Sequence, residues 1–250
     1  MYSFKSAQDF TILPYSTRSF PFSVQDITAS ECVIRCDDDT SSFSLNLPTA
    51  VNKTGKYYWI GKTSDNLANA VTINTVSSQT ITPTGATSTT LNTYGEWICI
   101  ASDGANWQIL DRRIPSYYRS YTPTITGAGT PTSLEFVYKR QGDSVIITGN
   151  FTTGTCTGVT AAVSLPTGLT IATLASLRMA GRFASDNASG TSNKSGNVLI
   201  SSAETVMNFA VESYTSAVSP LVNGLANSIW FDSTKVSIYS VAIPISGWKG

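Results

Sequence analysis

Apolar and polar positions alternate over short runs along almost the whole chain. Phe43, Leu45 and Leu47 share a face in FSLNLP, and Val71 and Ile73 share one in NAVTINTV. Val145, Ile147, Gly149 and Phe151 do so in DSVIITGNF, and Val163 and Leu165 in TAAVSLPTG. Strict alternation marks a half-buried strand, because successive side chains point to opposite faces. KYYWIGK predicts an aromatic strand, SQTITPTG a strand ended by Pro and Gly, and GEWICI a further strand. KVSIYSVAIPI predicts a strand with Val236 and Ile238 on one face and Tyr239, Val241 and Ile243 on the other. Asp103-Gly104 lies between two apolar runs, where it predicts a tight turn with Trp107 opening the return strand. Helix signals are scarce. Only residues 169–183 hold an apolar helical stripe, and Thr and Gly weaken it. Short strands with turn signals at this spacing predict sandwiches or jelly rolls.

The rhythm breaks at LDRRIPSYYRSYTP, where charge and Pro115 interrupt the strands as a linker does. The chain therefore reads as an all-β protein with two consecutive β-sandwich or jelly-roll-like domains, residues 29–112 and 121–250, joined by residues 113–120. Residues 1–28 differ. Phe4, Phe10, Ile12, Leu13, Tyr15, Phe20 and Phe22 are punctuated by Pro14 and Pro21, which disfavour a continuous helix. The segment predicts an extended arm that adds a strand to a neighbouring sheet or lies in a groove. No heptad pattern and no repeat of 20–50 residues is visible, so neither a coiled-coil stalk nor a β-solenoid is expected.

Composition narrows the function. Of 250 residues, 41% are apolar and only 13% charged, against a usual charged share of about 25%. Ser, Thr and Asn take the place of charge. Sixteen basic and sixteen acidic residues cancel, which removes the electrostatic footprint for nucleic acid. No apolar run reaches the roughly 18 residues of a spanning helix, and MYSFKSAQDF lacks the apolar region of a secretory signal. Synthesis in a cytoplasm, without membrane insertion, is the expectation. Histidine is absent, which removes the commonest general base, nucleophile partner and metal ligand. Cys32, Cys36, Cys99 and Cys156 form no C-x-x-C pair, and Cys32, Ile34 and Cys36 alternate onto one strand face. Reduced, structural thiols are expected, with no metal and no cofactor.

Residues 32–110 resemble a recurrent β-domain of bacteriophage fibre and other virion appendage proteins. The marks come in order: FSLNLP, NKTGKYYWIGK, a VTI strand, a TI strand and SDGANWQIL. Residues 121–250 are similar to a C-terminal head module of phage tail-fibre-like proteins, through YTPTITGAGT, FVYKRQGDSVIITGNFTTGT, VSLPTGL and VAIPISGW. The resemblance implies a homotrimeric appendage on a virion, and the apolar arm is then expected to attach it to capsid or tail proteins. The chain is short and has no shaft, which favours a short spike, a head fibre or a tail-tip knob over a long fibre. A capsid decoration protein without receptor binding and a glycan-hydrolysing spike are the alternatives.

Enzymatic chemistry finds little support. Asp37-Asp38-Asp39 lacks the spacing and distal Glu of a calcium loop, and reads as a solvated turn. Glu96, Asp103 and Asp111 supply carboxylates, but nothing in their spacing predicts the pair that glycoside hydrolysis needs. For binding, the polar loop ASDNASGTSNKSGN stands out, because loops held on rigid sheets often carry recognition. Asn187 and Asn193 offer amides suited to a neutral host-surface glycan, with Tyr214, Trp230 and Phe231 as stacking aromatics. The competing reading makes the loop solvent-filled and these aromatics core.

Overall fold

The computed structural model describes residues 15–19, 24–28, 30–186, 194–211 and 224–248. The chain forms two units, Met1–Ile114 and Pro115–Gly250. The boundary falls inside the expected linker, although strands reach into both of its ends.

Among the described residues, the first unit holds ten strands. They are β1 (Tyr15–Ser19), β2 (Val24–Asp26), β3 (Val33–Asp37), β4 (Phe43–Asn46), β5 (Tyr57–Lys62), β6 (Val71–Asn74), β7 (Ile81–Thr82), β8 (Ser88–Leu91), β9 (Trp97–Ser102) and β10 (Trp107–Arg113). One sheet runs β1-β3-β5-β9-β10-β7 and the other β2-β4-β6-β8. The first six strands alternate between the sheets, and β1, β3 and β5 are parallel, as are β2, β4 and β6. These strands are therefore stacked coils, with one strand per sheet in each coil, which departs from the expectation of no solenoid-like build. Tyr15 pairs with Val33 and Val33 with Trp59, so one step is 18 residues and the next 26. Unequal steps leave no fixed period to find. The first coil, β1 and β2, lies inside the range expected to be an arm, so part of that arm belongs to the sheets of this unit. Phe4, Phe10, Ile12, Leu13, Phe20 and Phe22 lie outside the described residues, and Tyr15 opens β1.

The expected apolar faces do meet. Ile34, Phe43, Leu45, Leu47, Val71, Ile73, Ile98, Ile100 and Trp107 are all buried in one core cluster. Tyr58 and Trp107 pack with ring centroids 5.7 Å apart, and neither Tyr58 Oη nor Trp107 Nε1 has a hydrogen-bond partner among the described residues.

The second unit holds β11 (Arg119–Ser120), β12 (Ile125–Thr126), β13 (Thr132–Gln141), β14 (Ser144–Thr152), β15 (Ala162–Ser164), β16 (Arg178–Ser185), β17 (Lys194–Ile200), β18 (Val206–Val211) and β19 (Lys235–Pro244). A short helix, α1 (Ala226–Ile229), precedes β19. Residues 169–183, the helical candidate, instead contain an isolated bridge at Ile171 and the start of β16. These nine strands of the described residues form one sheet, β11-β13-β14-β19-β16-β17-β18-β15-β12, rather than two separate sheets. Its edge strands β11 and β12 are consecutive in the chain, only four residues apart, so the sheet must roll to bring its edges together. A bond across the seam agrees: Tyr121 Oη, just after β11, donates to the carbonyl of Ser164 on β15 at 3.4 Å. Inside the roll, Phe136, Phe151, Trp230, Phe209 and Phe183 form a continuous chain of ring contacts 5.2–6.2 Å apart.

The faces of β19 differ from the alternation. Val236, Ile238, Val241 and Ile243 are all buried, while Tyr239 and Ser240 are exposed. Gly149 pairs with Ile238 and Ile147 with Val241, so two residues of β19 oppose the single Thr148. This is a β-bulge, with Ser240 at φ 38°. The extra residue resets the phase, so that both halves of the strand face the core.

Candidate functional site

The carboxylates examined for chemistry are committed to local structure. Asp103 Oδ1 accepts the amides of Asn106 at 2.7 Å and Ala105 at 2.9 Å, and Oδ2 accepts Gln108 Nε2 at 3.1 Å. Those donors, Asn106 first, hold its carboxyl below the ordinary carboxylate range. Gly104 follows at φ 101°, completing the turn between β9 and β10. Glu96 is buried, and its Oε2 accepts the amides of Asn92 at 2.8 Å and Thr93 at 3.1 Å. Its Oε1 takes Arg112 Nη2 at 2.6 Å and Nε at 2.9 Å. Asp111 pairs with exposed Arg113 at 2.8 Å.

Asp38 corrects the reading of the acidic triplet as a solvated turn. Its side chain is 0% exposed and is bonded to Lys62 Nζ, also 0% exposed. Lys62 Nζ also donates to the carbonyl of Asn66 at 3.1 Å. Burial outweighs the attraction of Lys62 and raises the Asp38 carboxyl above its ordinary range. All four cysteines are thiols rather than disulfides; burial raises the thiols of Cys99 and Cys156, the latter to about 11.

The residues singled out for binding belong to the second unit. The polar loop leaves β16 after Ser185 and rejoins at Lys194, and Asn187 and Asn193 within it lie outside the described residues, as does Tyr214. Beside the loop's base, Lys194 Nζ lies 4.2 Å from the centroid of the Phe231 ring and donates to the carbonyl of Trp230 at 3.1 Å. Phe231 is half-buried, and its carbonyl accepts Thr153 Oγ1 at 2.6 Å. Trp230 is only 1% exposed and touches Phe151 and Phe209, so it belongs to the core and offers no face to a ligand.

A second surface was not singled out in the sequence. A groove of about 680 Å³ lies across β11, β13, β14 and β19 and the segment after β11. That volume falls within the roughly 300–1,000 Å³ of small-ligand sites. Its floor is a grid set by strand register. Glu135, Asn150 and Ser237 are successive cross-strand partners, and Asn150 Nδ2 donates to Glu135 Oε2 at 3.0 Å. The neighbouring row is Val137, Thr148 and Tyr239, the last set opposite Thr148 by the bulge. Tyr239 is 57% exposed. Tyr121 forms one wall, fixed by edge-on contacts at 5.7 Å with both Phe136 and Tyr138. Alternation groups Tyr239 with Val241 and Ile243 on one strand face; the bulge instead separates it from them and leaves it in the groove.

A scan against protein-family models finds no match to this chain, and a search of curated proteins finds none either.

Proposed function

We propose that this chain is a structural protein of a bacteriophage virion, a short fibre or spike that projects from the particle as a homotrimer. In this reading it is made in the host cytoplasm and joined to capsid or tail proteins by its N-terminal segment. The second unit faces outward and recognises a host-surface glycan, by binding rather than by hydrolysis. Two lines support the virion role. The phrases that resemble phage appendage domains fall one per element: FSLNLP on β4, YYWIGK on β5, VTIN on β6 and SDGANWQIL across the β9–β10 turn. The low charge, 13% of residues, suits a surface of hydroxyls and amides.

One observation carries the recognition role: the open groove of the second unit sets an exposed tyrosine beside a row of amide, hydroxyl and carboxylate groups. The test is a cryo-EM map of the virion, with adsorption measured in the presence of purified protein. We expect threefold density for this chain at the particle surface, and competition for host cells. Threefold density without competition would favour a decoration or head-fibre protein. New reducing ends released from host polysaccharide would make it a hydrolase, and no density on the particle would sink the reading altogether.

A further inference from the structure

We infer that the groove of the second unit binds a neutral pyranose of a saccharide chain, with the sugar ring on Tyr239 and its hydroxyls on the Glu135–Asn150–Ser237 row. This rests on the reading of that unit as a glycan-recognising module and names the place and class of ligand.

A pyranose has an apolar face of C–H bonds and a rim of hydroxyls. It calls for a flat hydrophobic platform with directional polar groups a few ångströms to one side. Tyr239 is the exposed aromatic of the groove, at 57%. Its exposure is built in, because the bulge that turns it outward also keeps Val241 and Ile243 in the core. Ser237, the near end of the polar row, lies two residues along β19 from Tyr239, about 7 Å, and Asn150 and Glu135 follow one and two strands further across. The step to Ser237 matches the distance from the centre of a stacked ring to groups that meet its hydroxyls. Within the row the side chains are about 5 Å apart across the strands, as register requires. The bond from Asn150 to Glu135 uses one amide hydrogen and one carboxylate oxygen. The second amide hydrogen, the Asn150 carbonyl oxygen and the second carboxylate oxygen still have capacity for a ligand. Ser237 and Thr148 add hydroxyls that either donate or accept.

Charge sets the class. Among the described residues, Glu135 is the one acidic side chain lining the groove, and no Lys or Arg lines it. A sugar acid on the polar row would meet a like charge, while a neutral hydroxyl gains a charge-assisted acceptor. Arg182 pairs in register with Tyr239 on the β16 side but lies outside the lining.

The experiment is calorimetric titration of the full chain with tetrasaccharides of glucose, galactose and N-acetylglucosamine, and with oligogalacturonate as the acidic counterpart. We expect at least one neutral tetrasaccharide to bind and oligogalacturonate not to bind. Tyr239→Ala should weaken binding about tenfold with an unchanged melting temperature, as for an exposed contact residue. Glu135→Gln, which keeps the shape and removes the charge, should weaken it about threefold. If Tyr239→Ala and Asn150→Ala bind as the parent does while Phe231→Ala loses binding, recognition sits at the loop end. The groove is then wrong and the glycan reading survives. Binding of the acidic probe alone overturns the neutral class. No binding to any of the four overturns both readings.

Discussion

Lys62 carries an ammonium to the end of β5 and out of water, against a carboxylate that is equally dry. Such a pair gains little over a well-packed apolar pair, because desolvation of both ions offsets their attraction. Removing one partner is another matter, since the other charge then stays buried and uncompensated. Lys62→Met should cost about 3–5 kcal/mol. The double variant Lys62→Met, Asp38→Leu should recover most of that loss. Chemical denaturation of the three proteins measures both numbers, and a single variant costing under about 1 kcal/mol would contradict the buried geometry. Tyr58 gives a pH test. Burial pushes its hydroxyl up from 10.0 to about 12. A folded-state pKa above the unfolded value gives stability that is full below pH 10 and lost as pH rises toward 12. Tyr58→Phe should therefore shift the alkaline unfolding of the first unit to higher pH. At neutral pH its stability should stay within about 1 kcal/mol, because the hydroxyl has no partner among the described residues. Near-ultraviolet circular dichroism between pH 8 and 12.5 reads the shift, and an unmoved transition would contradict it. These residues also divide what sequence can and cannot reveal. Asp103 was legible, because a turn is local and, among the described residues, its side-chain bonds reach only to Gln108. Asp38 was not, because its partner is 24 residues away and a run of three Asp looks like any solvated turn.

At the scale of elements, alternation located the strands well and their partners poorly. Phe43, Leu45, Val71, Ile73, Val145, Ile147 and Phe151 are buried as their period of two requires. The coils of the first unit escaped notice because their connections differ in length, and the bulge in β19 escaped because it breaks the period on which the reading depends. The groove shared that fate, since its rows come from register between strands far apart in sequence. Gly149 shows what register demands. It pairs with Phe136 across β13 and β14, and a Cβ at that position would overlap the Phe136 ring. Phe136 is 2% exposed and has little room to yield. Gly149→Ala should therefore cost about 1–3 kcal/mol through overpacking. Adding Phe136→Leu should relieve part of the clash. Gly158→Ala, where the nearest atom is 3.8 Å from the new Cβ and φ is unstrained, should stay within about 0.5 kcal/mol. Thermal unfolding of the three variants decides it, and equal costs at Gly149 and Gly158 would show that the ring moves aside freely.

For the whole molecule, the open question is where the N-terminal segment stops being an attachment device and becomes part of a sheet. The structure puts β1 and β2 into the two sheets of the first unit, each as an edge strand with a parallel neighbour. A deletion of residues 2–14 leaves both strands intact. A deletion of residues 2–25 removes all of β1 and leaves only Asp26 of β2. The backbone groups of β3 and β4 that faced them would then turn to water, leaving new open edges prone to pairing with other chains. The shorter deletion should keep the melting temperature of the first unit, while the longer one should lower it and promote aggregation. The second unit should melt as before in both, because its strands form a separate sheet. Calorimetry reads the folding half of this prediction. Light scattering adds the assembly half: the proposed trimer of the parent chain has a mass of about three times 26.7 kDa. A monomer at micromolar concentration would contradict it. Incorporation into particles separates attachment from folding. If the segment before β1 docks on the virion, the 2–14 deletion should fold, form trimers and fail to join particles. Normal incorporation of that variant would move attachment onto the coils themselves, and a lowered melting temperature would show that residues before β1 already belong to the core.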